Sequence, residues 1–143
     1  MRLSAKGEYG VRAMVHLALH YRNGPVPLSR IAMDENISRQ YLEQIFLLLR
    51  RSGLITSVRG VKGGYTLASP PGEIFVGDII RVLDGPITPV DCLCGKEEEE
   101  PFPCGKSERC LASNLWEKLR NQINQLLDNV SLQDMIESKQ WKD

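Results

Sequence analysis

No apolar run in this 143-residue chain approaches the roughly 20 residues that a membrane-spanning helix requires, so no membrane association is expected. No signal-peptide core is visible near Met1, and the expected location is the cytoplasm, where thiols stay reduced. No internal repeat is visible. Histidine is scarce, with two residues only, His16 and His20. They stand at i, i+4, a spacing able to bind a metal, but no acid lies between them and no third donor is near in sequence. Two surface histidines are expected. Net charge is also absent, at +0 overall. Its distribution is uneven, however. Residues 1–70 carry ten Lys and Arg against four acids (+6), and residues 71–143 carry eight against fourteen (−6). A basic half suits a polyanion such as DNA.

Cysteine is missing from most of the chain, and its four residues all fall between Asp91 and Cys110. Cys92, Cys94, Cys104 and Cys110 follow the spacing C-x-C-x9-C-x5-C, with the acidic run Glu97–Glu100, Pro101 and Pro103 between them. No hydrophobic period crosses the stretch, which reads as a loop. A reducing compartment argues against disulfides. A structural zinc site, an iron–sulfur cluster and a set of bare redox thiols all remain open, because the spacing fits no single site type. An enzyme with a cysteine nucleophile lacks a base near the loop, both histidines being far off in sequence, and no enzymatic activity is expected.

Elsewhere the periodicity is informative. Tyr9–Tyr21 reads as a helix with Ala13, Met14, Leu17, Ala18 and Tyr21 on one face, broken by Asn23-Gly24-Pro25. Pro27–Glu35 is a short helix, and Asn36-Ile37 turns the chain. Ser38 caps a third helix that ends at Gly53, with Leu42, Ile45, Phe46 and Leu49 inward and Arg39, Gln40, Glu43 and Gln44 outward. Two short helices with a tight turn, the second opening on polar side chains, form a helix-turn-helix. Glu43 has an alternative role as salt-bridge partner of Arg39. Leu54–Val58 and Tyr65–Leu67 are strands flanking Arg59-Gly60-Val61-Lys62-Gly63-Gly64, a glycine-rich basic hairpin tip, or wing. The full G-x4-G-K-[ST] signature of a nucleotide loop is absent. The wing's glycines permit close backbone approach to a groove, where Arg59 and Lys62 offer charge to phosphates.

Ser69-Pro70-Pro71-Gly72 reads as a linker, followed by a helix over Val76–Leu83. Leu111–Val130 reads as a longer helix carrying Leu115, Leu119, Ile123, Leu126, Leu127 and Val130, with Trp116 beside them. A second copy of the chain would cover that stripe, and packing within its own domain is the alternative. Ser131 and Asp134 open a last helix to about Glu137, with frayed residues beyond it. The expected fold is mainly α with a small β-wing: a winged helix-turn-helix domain over residues 1–72, then residues 73–143 with the cysteine loop (91–110) and a dimerisation helix (111–130).

Four stretches together resemble a known family. They are Met1-Arg2-Leu3-Ser4-Ala5-Lys6-Gly7-Glu8-Tyr9, Ile37-Ser38-Arg39-Gln40-Tyr41-Leu42-Glu43-Gln44, the wing from Ser57 to Tyr65, and Cys104-Gly105-Lys106-Ser107-Glu108-Arg109-Cys110-Leu111 running into Leu115-Trp116. The family is that of the iron–sulfur cluster regulators among bacterial winged-helix transcription factors, of the IscR, NsrR and RirA types, with the IscR type nearest. The resemblance implies a cytoplasmic homodimer that binds a palindromic double-stranded operator and represses transcription. It implies a cluster, 2Fe–2S ahead of 4Fe–4S, held by Cys92, Cys104 and Cys110. Cys94 has no counterpart in the family pattern, and the position where the IscR type supplies a histidine is Ser113. The resemblance therefore points to Glu8 of the other subunit as fourth ligand, with Cys94 as the alternative. For DNA it implies Ser38, Arg39, Gln40, Tyr41, Glu43 and Gln44 in the major groove, and Arg59, with Gly60 and Lys62 beside it, in the minor groove. A thiol- or zinc-based redox regulator on the same scaffold is the alternative function. Some members of the group carry no cluster and regulate cysteine metabolism, a branch against which the three matched cysteines argue.

Overall fold

The computed structural model describes residues 3–90 and 111–137. The first helix, α1 (Ala5–Leu19), starts one turn earlier than the apolar period suggests. Ser4 caps it, its hydroxyl accepting from the Gly7 amide at 3.1 Å. Gly7 hid this first turn, since glycine disfavours helix by about 1 kcal/mol, and Gly10 follows it one turn on. Both are there for packing. A Cβ built on Gly10 would lie 2.0 Å from Leu83 Cδ1, and one on Gly7 would lie 2.5 Å from Asp84 Oδ2.

Helix α2 (Leu28–Glu35) ends at Asn36, whose left-handed conformation (φ 54°, ψ 50°) makes the sharp turn into α3 (Arg39–Arg51). Ser38 caps α3 as expected, accepting from the Tyr41 amide at 3.2 Å. Leu42, Ile45, Phe46 and Leu49 of α3 meet Ala13, Met14 and Leu17 of α1 and Ile31 of α2 in one core. Strands β1 (Ile55–Val58) and β2 (Gly64–Leu67) pair antiparallel with Ile55 opposite Leu67 and Val58 opposite Gly64. Val26 joins the sheet by two bonds of 2.9 Å with Tyr65. The Phe46 ring meets Tyr65 edge-on at 4.9 Å, fixing the wing to α3.

A 3-10 turn at Pro71–Glu73 occupies the expected linker and leads into α4 (Val76–Asp84). Helix α5 (Ser113–Asp128) is shorter at both ends than Leu111–Val130. It lies on α4, where Val76, Ile80 and Ile87 form a second apolar cluster with Ile123, Leu127 and Val130. Helix α6 (Leu132–Glu137) opens on the expected reciprocal cap, Asp134 N to Ser131 Oγ at 3.1 Å and Ser131 N to Asp134 Oδ2 at 3.0 Å. Backbone bonds of 2.9 Å from Val76 N to Val130 O and from Leu132 N to Ile74 O strap α6 to the start of α4. Leu132, fully buried, thereby enters the same core as α1 and α3. The result is mainly helical with one two-stranded wing.

Candidate nucleic-acid interface and the flanks of the cysteine stretch

The outward start of α3 forms a polar face. Ser38, Arg39, Gln40, Glu43 and Gln44 are exposed, while Tyr41 is half-buried. Arg39 Nε lies 3.4 Å from Glu43 Oε1, the i,i+4 pair read from the sequence as an alternative role for Glu43. An exposed pair of this kind contributes only about 0.3–0.5 kcal/mol, less than the roughly 1–3 kcal/mol of a good base contact. It therefore does not prevent either side chain from turning to another partner. Tyr41 packs edge-on against Tyr9 at 5.8 Å, and the Arg12 guanidinium sits 5.5 Å from the Tyr9 ring centre.

Beyond α3 the wing tip projects as a turn closed by Gly63 N to Gly60 O at 3.0 Å. Gly60 takes φ 120°, a conformation that L side chains rarely adopt. Arg59, Gly60 and Lys62 are all exposed, and Val61 at the apex is fully so. Neither Arg59 nor Lys62 has an ion-pair partner among the described residues.

Beneath this face, polar links that the sequence did not reveal tie α1 to α2. Arg12 donates to the Glu35 carbonyl at 2.6 Å and to its carboxylate at 3.2 Å. The expectation of two surface histidines fails for His16, which is 6% exposed. Position 16 faces α2, and its Nε2 lies 3.0 Å from Asp34 Oδ2, leaving Nδ1 without a partner among the described residues. That hydrogen bond from His16 holds the Asp34 carboxyl below its ordinary value, with help from the charge of Arg30. His20, half-buried and 4.8 Å from the His16 ring, is held below the usual histidine value, first by burial and then by the neighbouring charges. The partner of His16, Asp34, sits beside Glu35 on α2, eighteen positions away in the chain. Nothing local marked it. Among the described residues no three His, Cys, Asp and Glu side chains gather into a metal-binding group, and no helix is long and apolar enough to cross a membrane.

Cys92, Cys94, Cys104 and Cys110 lie outside the described residues, as do Met1, Arg2, the acidic run Glu97–Glu100 and residues 138–143 expected to fray. Both flanks of the cysteine stretch are described. On the entry side, Ile87 is buried between α4 and α5, and Thr88 Oγ1 donates to Val90 O at 3.2 Å. On the exit side Leu111 is fully exposed, and Ser113 is the first residue of α5. Glu8 is exposed in the first turn of α1 and makes no ion pair with another described side chain. Next to it, Ser4 and Asp84 are hydrogen-bonded, which joins the start of α1 to the end of α4.

A recognition helix, a basic wing and a long C-terminal helix in this order match a family described as Rrf2, iron-dependent transcriptional regulator, over residues 3–138. The chain belongs to the Rrf2 family. It is 44% identical over 135 residues to the transcriptional regulator CymR of Bacillus subtilis, covering 94% of this chain and 89% of that one. It is 41% identical over 143 residues to the transcriptional regulator IscR of Xenorhabdus nematophila, covering 100% of this chain and 84% of the relative. The solved structure of CymR, titled the global cysteine regulator of B. subtilis, aligns with a TM-score of 0.77 at 41% identity, over 94% of this chain and 95% of that one. These relatives are named as helix-turn-helix-type transcriptional regulators, and this chain is a DNA-binding transcriptional regulator of the Rrf2 family.

The apolar residues of α5 and of the turn that follows it in this Rrf2 regulator divide into two neighbouring strips. Ile123, Leu127 and Val130 pack on α4 and are half-buried, while Trp116 is half-buried near the start of the helix. Leu115, Leu119 and Leu126 are 58%, 40% and 61% exposed. At 3.6 residues per turn these three fall within about 40° of one another, a strip that the described residues leave uncovered.

Proposed function

We propose that this chain is a homodimeric repressor whose affinity for a palindromic operator follows the state of Cys92, Cys104 and Cys110. The observation that supports the proposal is the packing of the residues on either side of the cysteine stretch: Ile87, before it, packs against α4 and α5, and α5 begins at Ser113 just after it. In this reading Ser38, Arg39, Gln40, Tyr41, Glu43 and Gln44 enter the major groove. Glu43 accepts from a cytosine amino group and Gln44 pairs with adenine. Arg59 enters a narrow minor groove, with Gly60 allowing the close approach and Lys62 on the phosphates. Leu115, Leu119 and Leu126, continued by Trp116 and edged by Ile123, Leu127 and Val130, form the seam with a second copy. That arrangement sets the two recognition helices on half-sites about one helical turn apart.

The donor set fits an iron–sulfur cluster. Thiolates are the usual donors to such clusters, and the stretch offers three. Glu8, exposed on α1 and without an ion pair among the described residues, offers a carboxylate from the other subunit, with Cys94 as the alternative fourth donor. When bound, such a cluster, 2Fe–2S ahead of 4Fe–4S, supplies a group that responds to oxidants, nitric oxide and iron shortage. The similarity to CymR, titled a cysteine regulator, favours a second reading in which the same thiols, free or on zinc, report sulfur or redox status without iron. Protein purified without air separates the two. A visible iron–sulfur absorbance with matching iron and sulfide, lost in Cys92→Ala, Cys104→Ala and Cys110→Ala, supports the cluster. Colourless protein that holds only zinc or free thiols overturns it. In the cluster case, a changed spectrum in Cys94→Ala with a wild-type spectrum in Glu8→Ala would reject the cross-subunit ligand.

A further inference from the structure

We infer that Asn124, held in place by Arg81, is a positioning residue that moors the entry of the cysteine stretch to α5 and couples that stretch to the DNA-binding domain. Asparagine is a poor residue for the middle of a helix, because its amide competes for backbone partners. Here that amide bridges three elements. Its Oδ1 accepts from Arg81 Nη2 at 2.5 Å, and its Nδ2 donates to the carbonyls of Ile87 at 3.0 Å and Arg120 at 2.8 Å. Ile87 is 6% exposed, so its side chain is gripped by the second cluster while its carbonyl is gripped by Asn124. Ser113, where the stretch returns, lies on the same helix roughly 16 Å away at 1.5 Å per residue. Both flanks of the stretch are thus fixed to one helix.

Arg81 carries the link onward. It meets Asp128 with both nitrogens, at 2.7 and 2.9 Å, in the bidentate geometry that gives orientation as well as attraction. Asp78 stands 3.8 Å from the same guanidinium. Gly77 leaves the room, since a Cβ there would lie 2.1 Å from Asp128 Oδ1. The opposite side of α4 is fixed to the winged domain: Ile79 and Leu83 enter the main core, and Leu83 presses on Gly10 of α1. One helix turn from the Asp84 contact, Tyr9 of α1 packs on Tyr41 of α3. A displacement of the stretch's entry therefore reaches α3 through contiguous contacts rather than through solvent.

This inference rests on the reading that the cysteines govern DNA binding, and the test separates the two. Asn124→Asp keeps an acceptor for Arg81 and removes the donor to Ile87, and Asn124→Ala removes both. The probe is a duplex enriched from random-sequence DNA by the purified protein. Its affinity is measured for full-length protein reconstituted anaerobically with ferrous iron and sulfide, and for the same protein stripped of metal. Exchange of the Ile87, Thr88 and Val90 amides is followed in parallel, with the melting temperature as control. Both variants should melt near wild type, exchange these amides about tenfold faster, and bring the loaded-to-stripped affinity ratio within about twofold of one. Wild-type exchange in both variants, or a wild-type ratio, overturns the inference. Should wild-type protein itself show a ratio of one, the regulatory reading fails, and the mooring stands or falls on the exchange rates.

Discussion

At the scale of single residues, the roles proposed for Glu43 and Arg59 can be told apart by mutation. Glu43→Ala should change discrimination at one base pair by about 1–3 kcal/mol while leaving other positions unaltered. Arg59→Ala should weaken binding most where the duplex is A·T-rich and its minor groove narrow. Binding to a panel of single-base duplex variants checks both, and unchanged discrimination would remove Glu43 from the readout. His20 gives a pH prediction. Burial, chiefly, holds it below 6.5 in the folded chain, so the unfolded chain takes up that proton first as pH falls. The contribution to stability is therefore full above about pH 6.5 and declines as pH drops below it. The melting temperature of wild type should fall between pH 7 and pH 5 more steeply than that of His20→Gln, and parallel curves would assign the acid loss to other groups.

Elements were legible where one local signal sufficed and obscure where packing decided. Ser38 as a cap, the turn at Asn36, the hairpin around Gly60 and the Ser131–Asp134 box all declare themselves within four residues, and all stand where the pattern put them. The first turn of α1 did not, because Gly7 answers to Asp84, over seventy positions away. The burial of His16 depends on Asp34 across another helix. The division of the α5 stripe depends on where α4 lies, which no periodicity reports. That division sharpens the test of the seam. Ile123 already packs within its own chain, so a charge there would damage the monomer as well. Leu119→Asp changes an exposed position and would bring two charges together across a two-fold. Sedimentation should show a folded monomer with much weaker duplex binding, and a dimer as tight as wild type would place the seam elsewhere.

For the whole molecule, the account joins a basic winged domain to an acidic C-terminal part through α4 and α6, which share the main core. The four thiols of the cysteine stretch stand in the sequence itself. The contact that holds its flank was not legible there, because the bond from Asn124 to Ile87 spans 37 positions. The central claim is that the state of the cysteines sets DNA affinity, and one titration tests it most directly. Protein purified without air is bound to the selected duplex before and after its metal is removed by chelation under the same ionic strength, since phosphate contacts make affinity salt-dependent. Cys92→Ala/Cys104→Ala/Cys110→Ala protein serves as the reference. The account predicts that wild-type affinity shifts at least tenfold on removal of the metal, to the value of the triple variant, while the triple variant does not respond to chelator. Equal affinities for all three preparations, with the sedimentation coefficient and melting temperature unchanged, would contradict it.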